Sequence, residues 1–363
     1  MLKRDAGPLS RSAFLSGPAS KNWLETMTMK AMTLAAPGGL DQIKLVERAA
    51  PPAPAAGEIT IRVEACSLNF HDLGVANGRS PTKDGRILLS DGAGTVEAIG
   101  SDVTDFAVGD RVMSRIFPQW LDGPPQVGDF SLSPGDGVDG FACESVTAAE
   151  TAFTHVPAGY SSAEAATVMT AGLTAWRALM VNGPLHPDDT ILVQGSGGVS
   201  IFALQIAKAV GARVIATSSS DEKLERLREL GAAHVINYRK EPQWGKRAFE
   251  WTGGTGVDHV IDVGGGDTLA QSLSAVRIGG HIAIVGLLGG LAVDLPIIPI
   301  LSKQARMQGC LVGSRADQLN FNTFLEKHKI KPIIGSSFAL EDLADAFEFQ
   351  QKGAHFGKIV LEV

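Results

Sequence analysis

The sequence predicts a two-domain α/β protein on three grounds: its length, its hydrophobic periodicity and one glycine-rich turn. The chain has 363 residues, of which 44% are hydrophobic and 20% charged, as in an ordinary globular protein with sizeable cores. Single domains cluster at about 100–200 residues, so this length favours two. Strand patterns fill the region up to about residue 156, and strands alternate with helices after it. We therefore expect a β-rich domain beside a doubly wound parallel sheet.

Composition and charge indicate which kinds of binding partner the protein is not built for. The formal net charge is −7, which argues against nucleic acid or an anionic membrane as the main partner. No uninterrupted apolar run approaches the roughly 20 residues that a membrane span needs. The three cysteines are widely spaced and fit no disulfide or CxxC pattern; they are Cys66, Cys143 and Cys310. This usage indicates a reducing compartment, so we expect a cytoplasmic protein that acts on a small molecule.

The first element expected along the chain is an irregular leader over residues 1–28. It is polar, contains Gly-Pro twice and lacks the continuous apolar core of a secretory signal, so we expect it to be dispensable. A helical pattern covers 162–181, and a second one over 340–350 precedes the last strand, KIVLEV. Alternating apolar and polar residues predict earlier strands at about 29–38, 59–64, 94–100 and 109–113.

The segment over residues 190–239 contains the most specific pattern in the chain. An apolar run at 191–193 is followed by a glycine-rich turn, a helix pattern closed by Gly211, and strands at 213–216 and 235–236. This order predicts a βαβαβ unit that binds a dinucleotide. Glycines let the backbone approach a pyrophosphate, and the N-terminus of the following helix favours its charge. The residues predicted to bind it are Gly195, Ser196, Gly197, Gly198 and Val199.

The end of the second strand of this unit indicates which dinucleotide is bound. NAD-specific sites place Asp or Glu there to hydrogen-bond the ribose 2′-hydroxyl, whereas this chain has Thr217, three serines and no acid before Asp221. Hydroxyls can donate to a 2′-phosphate and Lys223 can neutralise it, so we predict NADP(H), bound by Ser218 and Lys223. Ser220 followed by acidic residues also fits an ordinary helix cap, and the two interpretations can hold together. NAD(H) is the alternative cofactor.

Several features together resemble the medium-chain dehydrogenase/reductase superfamily: the β-rich front region, GSGGVS at 195–200, ELGA at 229–232 and GKIVL at 357–361. The resemblance extends from about Met29 to Val363. It implies that a nicotinamide lies in a cleft between two domains. The domains implied are a GroES-like catalytic domain over 29–156 and 315–363, and a Rossmann NADP-binding domain over 157–314.

The resemblance also implies cofactor contacts beyond the glycine turn. Tyr238 corresponds to a contact with the adenosine phosphate. Lys358 corresponds to a basic pyrophosphate contact, with a solvated surface lysine as the alternative. Relatives pair edge to edge into homodimers, and we expect the apolar run Leu295–Leu301 at that interface. The contacts expected at the carboxyl edge of the parallel strands are Val263, Gly264, Val285, Gly286, Leu287, Leu311, Val312 and Gly313.

Alcohol dehydrogenases of this superfamily hold a catalytic zinc with two Cys and one His, with a Glu nearby. The first Cys position falls on Asn69 within ACSLNFHD, the His and Glu positions on Ser90 and Asp91, and the second Cys position near Thr167. Zinc requires soft or imidazole ligands, which Asn, Ser and Thr do not supply. His71 and Asp91 would make an incomplete site. We therefore predict no metal, and the chain resembles the zinc-free quinone oxidoreductase-like branch.

Without a Lewis acid, we expect hydride transfer from NADPH to a quinone or an α,β-unsaturated carbonyl, because their acceptor carbons are already electrophilic. Asn69 is predicted to donate an amide hydrogen to the carbonyl oxygen, and His71 to supply the closing proton. The alternatives are a turn-stabilising Asn69 and a packed His71, with solvent as the proton source. Two other functions stay open: an alcohol or aldehyde oxidoreductase, and a nucleotide-binding sensor or structural protein with little catalysis.

Overall fold

The computed structural model describes residues 28–80, 82–126 and 129–363, so the expected leader, except Thr28, lies outside the described residues. The strands are β1 (Thr28–Leu34), β2 (Ile43–Ala49), β3 (Glu58–Ser67), β4 (Arg86–Ile87), β5 (Asp91–Ile99), β6 (Arg111–Ser114), β7 (Ser145–Ala149), β8 (Phe153–His155), β9 (Thr190–Gln194), β10 (Arg213–Ser218), β11 (His234–Asn237), β12 (Val257–Asp262), β13 (Val276–Ile284), β14 (Arg306–Gly309), β15 (Ile334–Ala339) and β16 (Lys358–Glu362). The α-helices are α1 (Phe70–Ala76), α2 (Ser162–Ala166), α3 (Leu173–Trp176), α4 (Gly198–Val210), α5 (Asp221–Leu230), α6 (Trp244–Trp251), α7 (Gly266–Ala275), α8 (Ile297–Lys303), α9 (Arg315–His328) and α10 (Leu343–Gln351).

The β-rich domain joins distant parts of the chain. Its larger sheet has the strand order β15-β16-β3-β5-β6-β8, with β7 paired to β3, and a smaller sheet has the order β2-β1-β4. β16 runs antiparallel to β3, with Leu361 opposite Cys66. Buried apolar side chains from both regions, including Ile61 and Ile359, share one core. The pairing places Lys358, the first residue of β16, beside the residues that follow β3.

The second domain is a parallel sheet covered by helices. Its strand order is β11-β10-β9-β12-β13-β14, and every pair in it is parallel. Ile201 and Leu204 of α4 belong to one buried cluster, and Leu192 and Val260 belong to another. The strand order reverses direction at β9, between β10 and β12, and ligands bind at such a switch point in open α/β sheets. The predicted fold class, a GroES-like β-rich domain with a doubly wound Rossmann domain, is confirmed.

The predicted helix over 162–181 is present, but it is not α-helical throughout. A wider, π-helical turn follows each of α2 and α3, at Val168–Gly172 and at Arg177–Val181. Single π-helical turns occur frequently at functional sites, and the first of these contains Thr170. Within the residues described, no helix is long and apolar enough to cross a membrane.

Candidate active site

The glycine turn connects β9 to α4, as predicted. Gly195 has a φ of +75°, a backbone conformation that glycine adopts without strain. α4 begins at Gly198, where a Cβ atom would lie only 2.6 Å from Cδ of Lys358. Ser200, at the third glycine position, is buried and donates its hydroxyl to the carbonyl of Gln194 at 2.6 Å. The turn is therefore followed by the N-terminus of a long helix, whose N–H groups and positive dipole end are suited to an anion such as a pyrophosphate.

Of the residues predicted to contact the 2′-phosphate, Ser218 ends β10 and Lys223 lies in the first turn of α5, while Tyr238, the predicted adenosine-phosphate contact, follows β11. The backbone N–H of Tyr238 donates to the carbonyl of Ser218 at 3.1 Å, so these two residues are neighbours. The ammonium of Lys223 donates to the carbonyls of Gly353 at 2.6 Å and His355 at 2.7 Å. Burial lowers the pKa of Lys223. The Lys223 ammonium is thus hydrogen-bonded to the loop that precedes β16.

Ser220 acts as a helix cap, which was the alternative interpretation of this segment. Its hydroxyl accepts from the backbone N–H of Lys223 at 3.4 Å, and α5 begins at the next residue, Asp221. The Asp221 carboxylate accepts from Asn237 at 2.7 Å and from Lys240 at 2.5 Å. Capping therefore occupies the Ser220 hydroxyl, and the buried Ser218 hydroxyl at the end of β10 accepts from the backbone N–H of Ser220 at 3.3 Å.

Three loops that follow parallel strands bring the remaining predicted cofactor residues to one edge of the sheet. The strands β12, β13 and β14 are neighbours in the sheet, and the loops begin where these strands end. Gly264 donates its backbone N–H to the Asp262 carboxylate at 3.1 Å, and Val312 has a φ of +44°. The residues gathered at this edge are Val263, Gly264, Val285, Gly286, Leu287, Leu311, Val312 and Gly313.

A buried polar cluster, which we call the Asn69 cluster, lies between the β-rich domain and the glycine turn. It consists of Asn69, Ser90, Asp91, Thr170 and Lys358. The Asn69 amide nitrogen donates to the Asp91 carboxylate at 2.9 Å and to the Ser90 hydroxyl at 3.3 Å. The Asn69 amide oxygen accepts from the Lys358 ammonium at 2.6 Å, and Thr170 donates its hydroxyl to Asp91 at 2.6 Å. Every polar atom of the Asn69 side chain is therefore engaged by the protein.

The charges of this cluster are balanced within the protein. The Lys358 ammonium lies 4.0 Å from the Asp91 carboxylate, and it also donates to the carbonyl of Leu68 at 2.6 Å. Burial lowers the pKa of Lys358, while the carboxylates of Asp91 and Asp72 act to raise it. Burial also raises the pKa of Asp72, whose carboxylate accepts from the backbone N–H groups of Asn69 and Ser90. Buried charges are tolerated only with such partners.

The structure shows which threonine near the expected second Cys position contacts Asp91. The second Cys position was expected near Thr167, but Thr167 is buried and donates its hydroxyl to the Glu164 carbonyl at 2.7 Å. Thr170, three residues later in the first π-helical turn, is the residue that contacts Asp91.

The donors at this position do not fit a catalytic zinc. Zinc sites are built from thiolates, imidazoles and a carboxylate in tetrahedral geometry, whereas this cluster offers an amide, two hydroxyls and one carboxylate. Asp91 is already bonded to Asn69 and Thr170, and a lysine ammonium lies beside it. Within the described part of the chain, no three His, Cys, Asp or Glu side chains are grouped to hold a metal ion.

His71, the predicted proton donor, contacts a different set of groups. Its ring stacks on Phe130 with centroids 4.2 Å apart, and its Nε2 lies 3.2 Å from the Asp136 carboxylate. Phe130 in turn packs against Phe117. A cavity of about 250 Å³ is lined by Phe117, Trp120 and residues on both sides of Phe130 in the chain, among them Asp129 and Ser131. The sequence did not predict the contact of Phe130 with His71, because the loop that holds Phe130 follows no regular periodicity.

Two family models match the chain and cover both domains. Residues 55–158 match the alcohol dehydrogenase GroES-like domain, and residues 198–327 match the zinc-binding dehydrogenase family. Fold and site together define an oxidoreductase with a pyridine nucleotide cofactor. The chain belongs to the medium-chain dehydrogenase/reductase superfamily, as its motifs predicted.

Individual relatives agree with this assignment along nearly the whole chain. The zinc-type alcohol dehydrogenase-like protein C1773.06c of Schizosaccharomyces pombe is 38% identical, over 90% of this chain and 96% of the relative. The crystal structure of an NAD-dependent alcohol dehydrogenase has a TM-score of 0.82 and 32% identity, over 92% of this chain and 99% of that one. The structure of a quinone oxidoreductase of Pseudomonas syringae pv. Tomato DC3000 has a TM-score of 0.79 and 28% identity, over 93% of this chain and 100% of that one.

Proposed function

We propose that this protein is an NADPH-dependent, zinc-free reductase of quinones or α,β-unsaturated carbonyls. The observation that supports this most directly is the Asn69 cluster. It replaces metal ligands with an amide, hydroxyls and a buried ammonium, directly beside an intact phosphate-binding turn. Removing hydride from an alcohol also requires loss of its hydroxyl proton, which a metal assists. An electrophilic acceptor carbon needs only stabilisation of the oxygen that becomes negative.

NADP(H) is the proposed form of the cofactor. The proposal rests on the absence of an acidic residue at the end of β10, where Ser218 stands beside Tyr238, and on Lys223 nearby. A carboxylate at that strand end would repel a 2′-phosphate, whereas hydroxyls and an ammonium favour it. Gly195 to Val199 and the three strand-end loops are the proposed sites of the pyrophosphate and nicotinamide. When bound, NADPH supplies a hydride from C4 of its nicotinamide.

Asn69 is the proposed donor to the substrate oxygen. Its N–H bond to Asp91 is short, at 2.9 Å, and its bond to Ser90 is longer, at 3.3 Å. The longer bond is the one that a substrate oxygen can replace, since hydrogen bonds at catalytic groups often tighten only when substrate is bound. The hydride adds to the β-carbon of an enone, the electron pair moves to the oxygen, and Asn69 stabilises the resulting enolate. A proton from His71 or from solvent then completes the saturated carbonyl.

A homodimer is the proposed assembly. β14 is the last strand of the parallel sheet, so its outer edge is unpaired among the described residues. The neighbouring α8 exposes large apolar side chains, with Ile298 78%, Leu301 69% and Ile297 66% exposed. An edge strand beside an apolar surface is the combination that pairs with a second copy of the same chain.

The test is an NADPH oxidation screen over quinones, enones and aldehydes, with product analysis. We expect NADPH consumption that depends on a quinone or enone and yields a hydroquinone or a saturated carbonyl. An alcohol as the product would instead identify an aldehyde reductase. Tight NADPH binding without turnover of any acceptor would identify a nucleotide-binding sensor or structural protein. Either result would overturn the proposed function.

A further inference from the structure

We propose that Lys358 is a positioning residue for catalysis, which fixes and polarises the Asn69 amide from the side of the cofactor-binding turn. The inference rests on the proposed function, in which Asn69 contacts the substrate oxygen. It differs from the expected role of Lys358 as a pyrophosphate contact, because the ammonium bonds to Leu68 and Asn69.

The bonding partners determine how the Asn69 amide is oriented. An ammonium can only donate and an ionised carboxylate can only accept. The group of Asn69 that faces Lys358 at 2.6 Å must therefore be its oxygen, and the group that faces Asp91 at 2.9 Å must be its nitrogen. With both ends fixed, the amide plane cannot flip. One N–H is consequently held in a constant direction, on the side of Ser90.

The ammonium also changes the strength of that N–H donor. Lys358 is 4% exposed and Asp91 is fully buried, so their charges act in a medium of low effective dielectric. A charged donor on the amide oxygen draws electron density from the nitrogen, which makes the N–H a better donor, because hydrogen bonds in a chain polarise one another. The effect grows as negative charge develops on the substrate oxygen, and catalysis requires that kind of differential interaction.

The position of Lys358 depends on the cofactor-binding turn. Its Cδ lies 2.6 Å and its Cγ 3.2 Å from where a Cβ of Gly198 would be, so the aliphatic chain packs against the first residue of α4. The preceding residue, Gly357, donates its N–H to the carbonyl of Ser196 at 2.8 Å. The lysine thus connects the glycine turn to Asn69.

The test compares three single variants: Lys358→Met, Lys358→Arg and Lys303→Met. Lys303 is a matched control, because its partly buried ammonium also donates to backbone carbonyls, at 2.7 to 2.8 Å, but contacts no residue of the Asn69 cluster. For Lys358→Met we expect kcat to fall about tenfold, while the NADPH dissociation constant changes by less than about threefold. Lys358→Arg keeps the positive charge and should therefore recover part of the lost kcat. Lys303→Met should change neither kcat nor the NADPH dissociation constant.

The inference would be overturned if the substitution weakened NADPH binding and left kcat unchanged. If Lys358→Met raised the NADPH dissociation constant about tenfold or more with kcat unchanged, Lys358 would be a pyrophosphate contact only. A readout without substrate separates this failure from failure of the proposed function. In thermal unfolding of the protein without cofactor, we expect Asn69→Ala and Lys358→Met to be non-additive, with the double variant close to the less stable single variant. Additive losses would mean that the two side chains do not act as a unit.

Discussion

The acid stability of the Rossmann domain should depend on two buried histidines. His281 is 1% exposed, and neither of its ring nitrogens has a hydrogen-bond partner in the described parts of the chain. His259 lies beside it, with ring centroids 5.8 Å apart, and its Nε2 is 3.5 Å from the Asp189 carboxylate. A Cβ atom on Gly183 would lie 2.4 Å from Nδ1 of His281 and 2.8 Å from Nδ1 of His259. The backbone at Gly183 thus packs closely against both rings.

The size of the change in unfolding free energy with pH follows from the pKa of His281. Burial, together with His259 and Arg306, lowers this pKa from 6.5 to about 4. Because the folded-state pKa is depressed, the neutral ring contributes stability above the unfolded-state pKa. That contribution is lost as the pH falls from about 6.5 towards about 4. With these two pKa values, lowering the pH from about 7.5 to about 5 removes about 2 kcal/mol of unfolding free energy through His281 alone.

Replacing His281 with Leu should remove this part of the acid sensitivity. We expect little change at neutral pH, because the substitution breaks no hydrogen bond. At about pH 5 we expect the variant to be more stable than the unmodified protein by about 2 kcal/mol. Urea unfolding at both pH values measures this, and His186→Gln, at an exposed histidine, is the control. Part of the pH dependence of the unfolding free energy will remain in the variant, because the pKa values of His259 and His355 are also lowered. If the unfolding free energy of His281→Leu fell between the two pH values as much as that of the unmodified protein, this would refute the argument.

Four further predictions address the cofactor, the site and the assembly. Ser218→Asp should weaken NADPH binding by about one to two decades relative to NADH; equal affinities in the unmodified protein, with no response to the change, would contradict NADP(H). Asn69→Ala should lower kcat/KM about tenfold with NADPH affinity little changed, whereas a loss explained by thermal stability alone would make Asn69 a structural residue. The purified protein should contain no stoichiometric zinc and keep its activity in chelator; one zinc per chain, with activity lost on its removal, would disprove this. Ile298→Glu should convert a dimer into monomers in light scattering, and an unchanged mass would place the interface elsewhere.

The fold was predictable where its signals are local. The glycine turn, the helix that ends at Gly211 and the neighbouring strands lie within one continuous segment, and Gly211 has the left-handed φ of +99° that a terminal glycine favours. The same is true of Ser220, which caps α5 as its sequence context suggested. In such segments, periodicity and turn chemistry act over a few residues and leave few other structures open.

The site was predictable only in part, because its contacts join distant segments. Asn69 and Lys358 are 289 positions apart, and they meet because β16 pairs with β3, which no spacing in the sequence specifies. The sequence places Asp91 at a former glutamate position, but it does not reveal that the carboxylate accepts from Thr170. Thr170, which lies directly ahead of the AGLTAW segment, was not named as the residue that contacts this carboxylate, because that contact joins segments 79 positions apart. Motifs therefore identify the residues of a site more readily than the bonds among them.

The Asn69 cluster also explains how a site of this superfamily can keep its architecture without metal ligands. A carboxylate as deeply buried as Asp91 requires positive or donating partners, and here Asn69, Thr170 and Lys358 supply them. A fixed ammonium behind an amide can stabilise an oxygen that becomes negative, but it cannot draw a proton from an alcohol as a bound cation does. Under the proposed function, we therefore expect this bonding pattern to favour acceptors that are already electrophilic over alcohols. For this reason we expect the choice between these substrate classes to depend on the bonds within the Asn69 cluster more than on the shape of the neighbouring cavity.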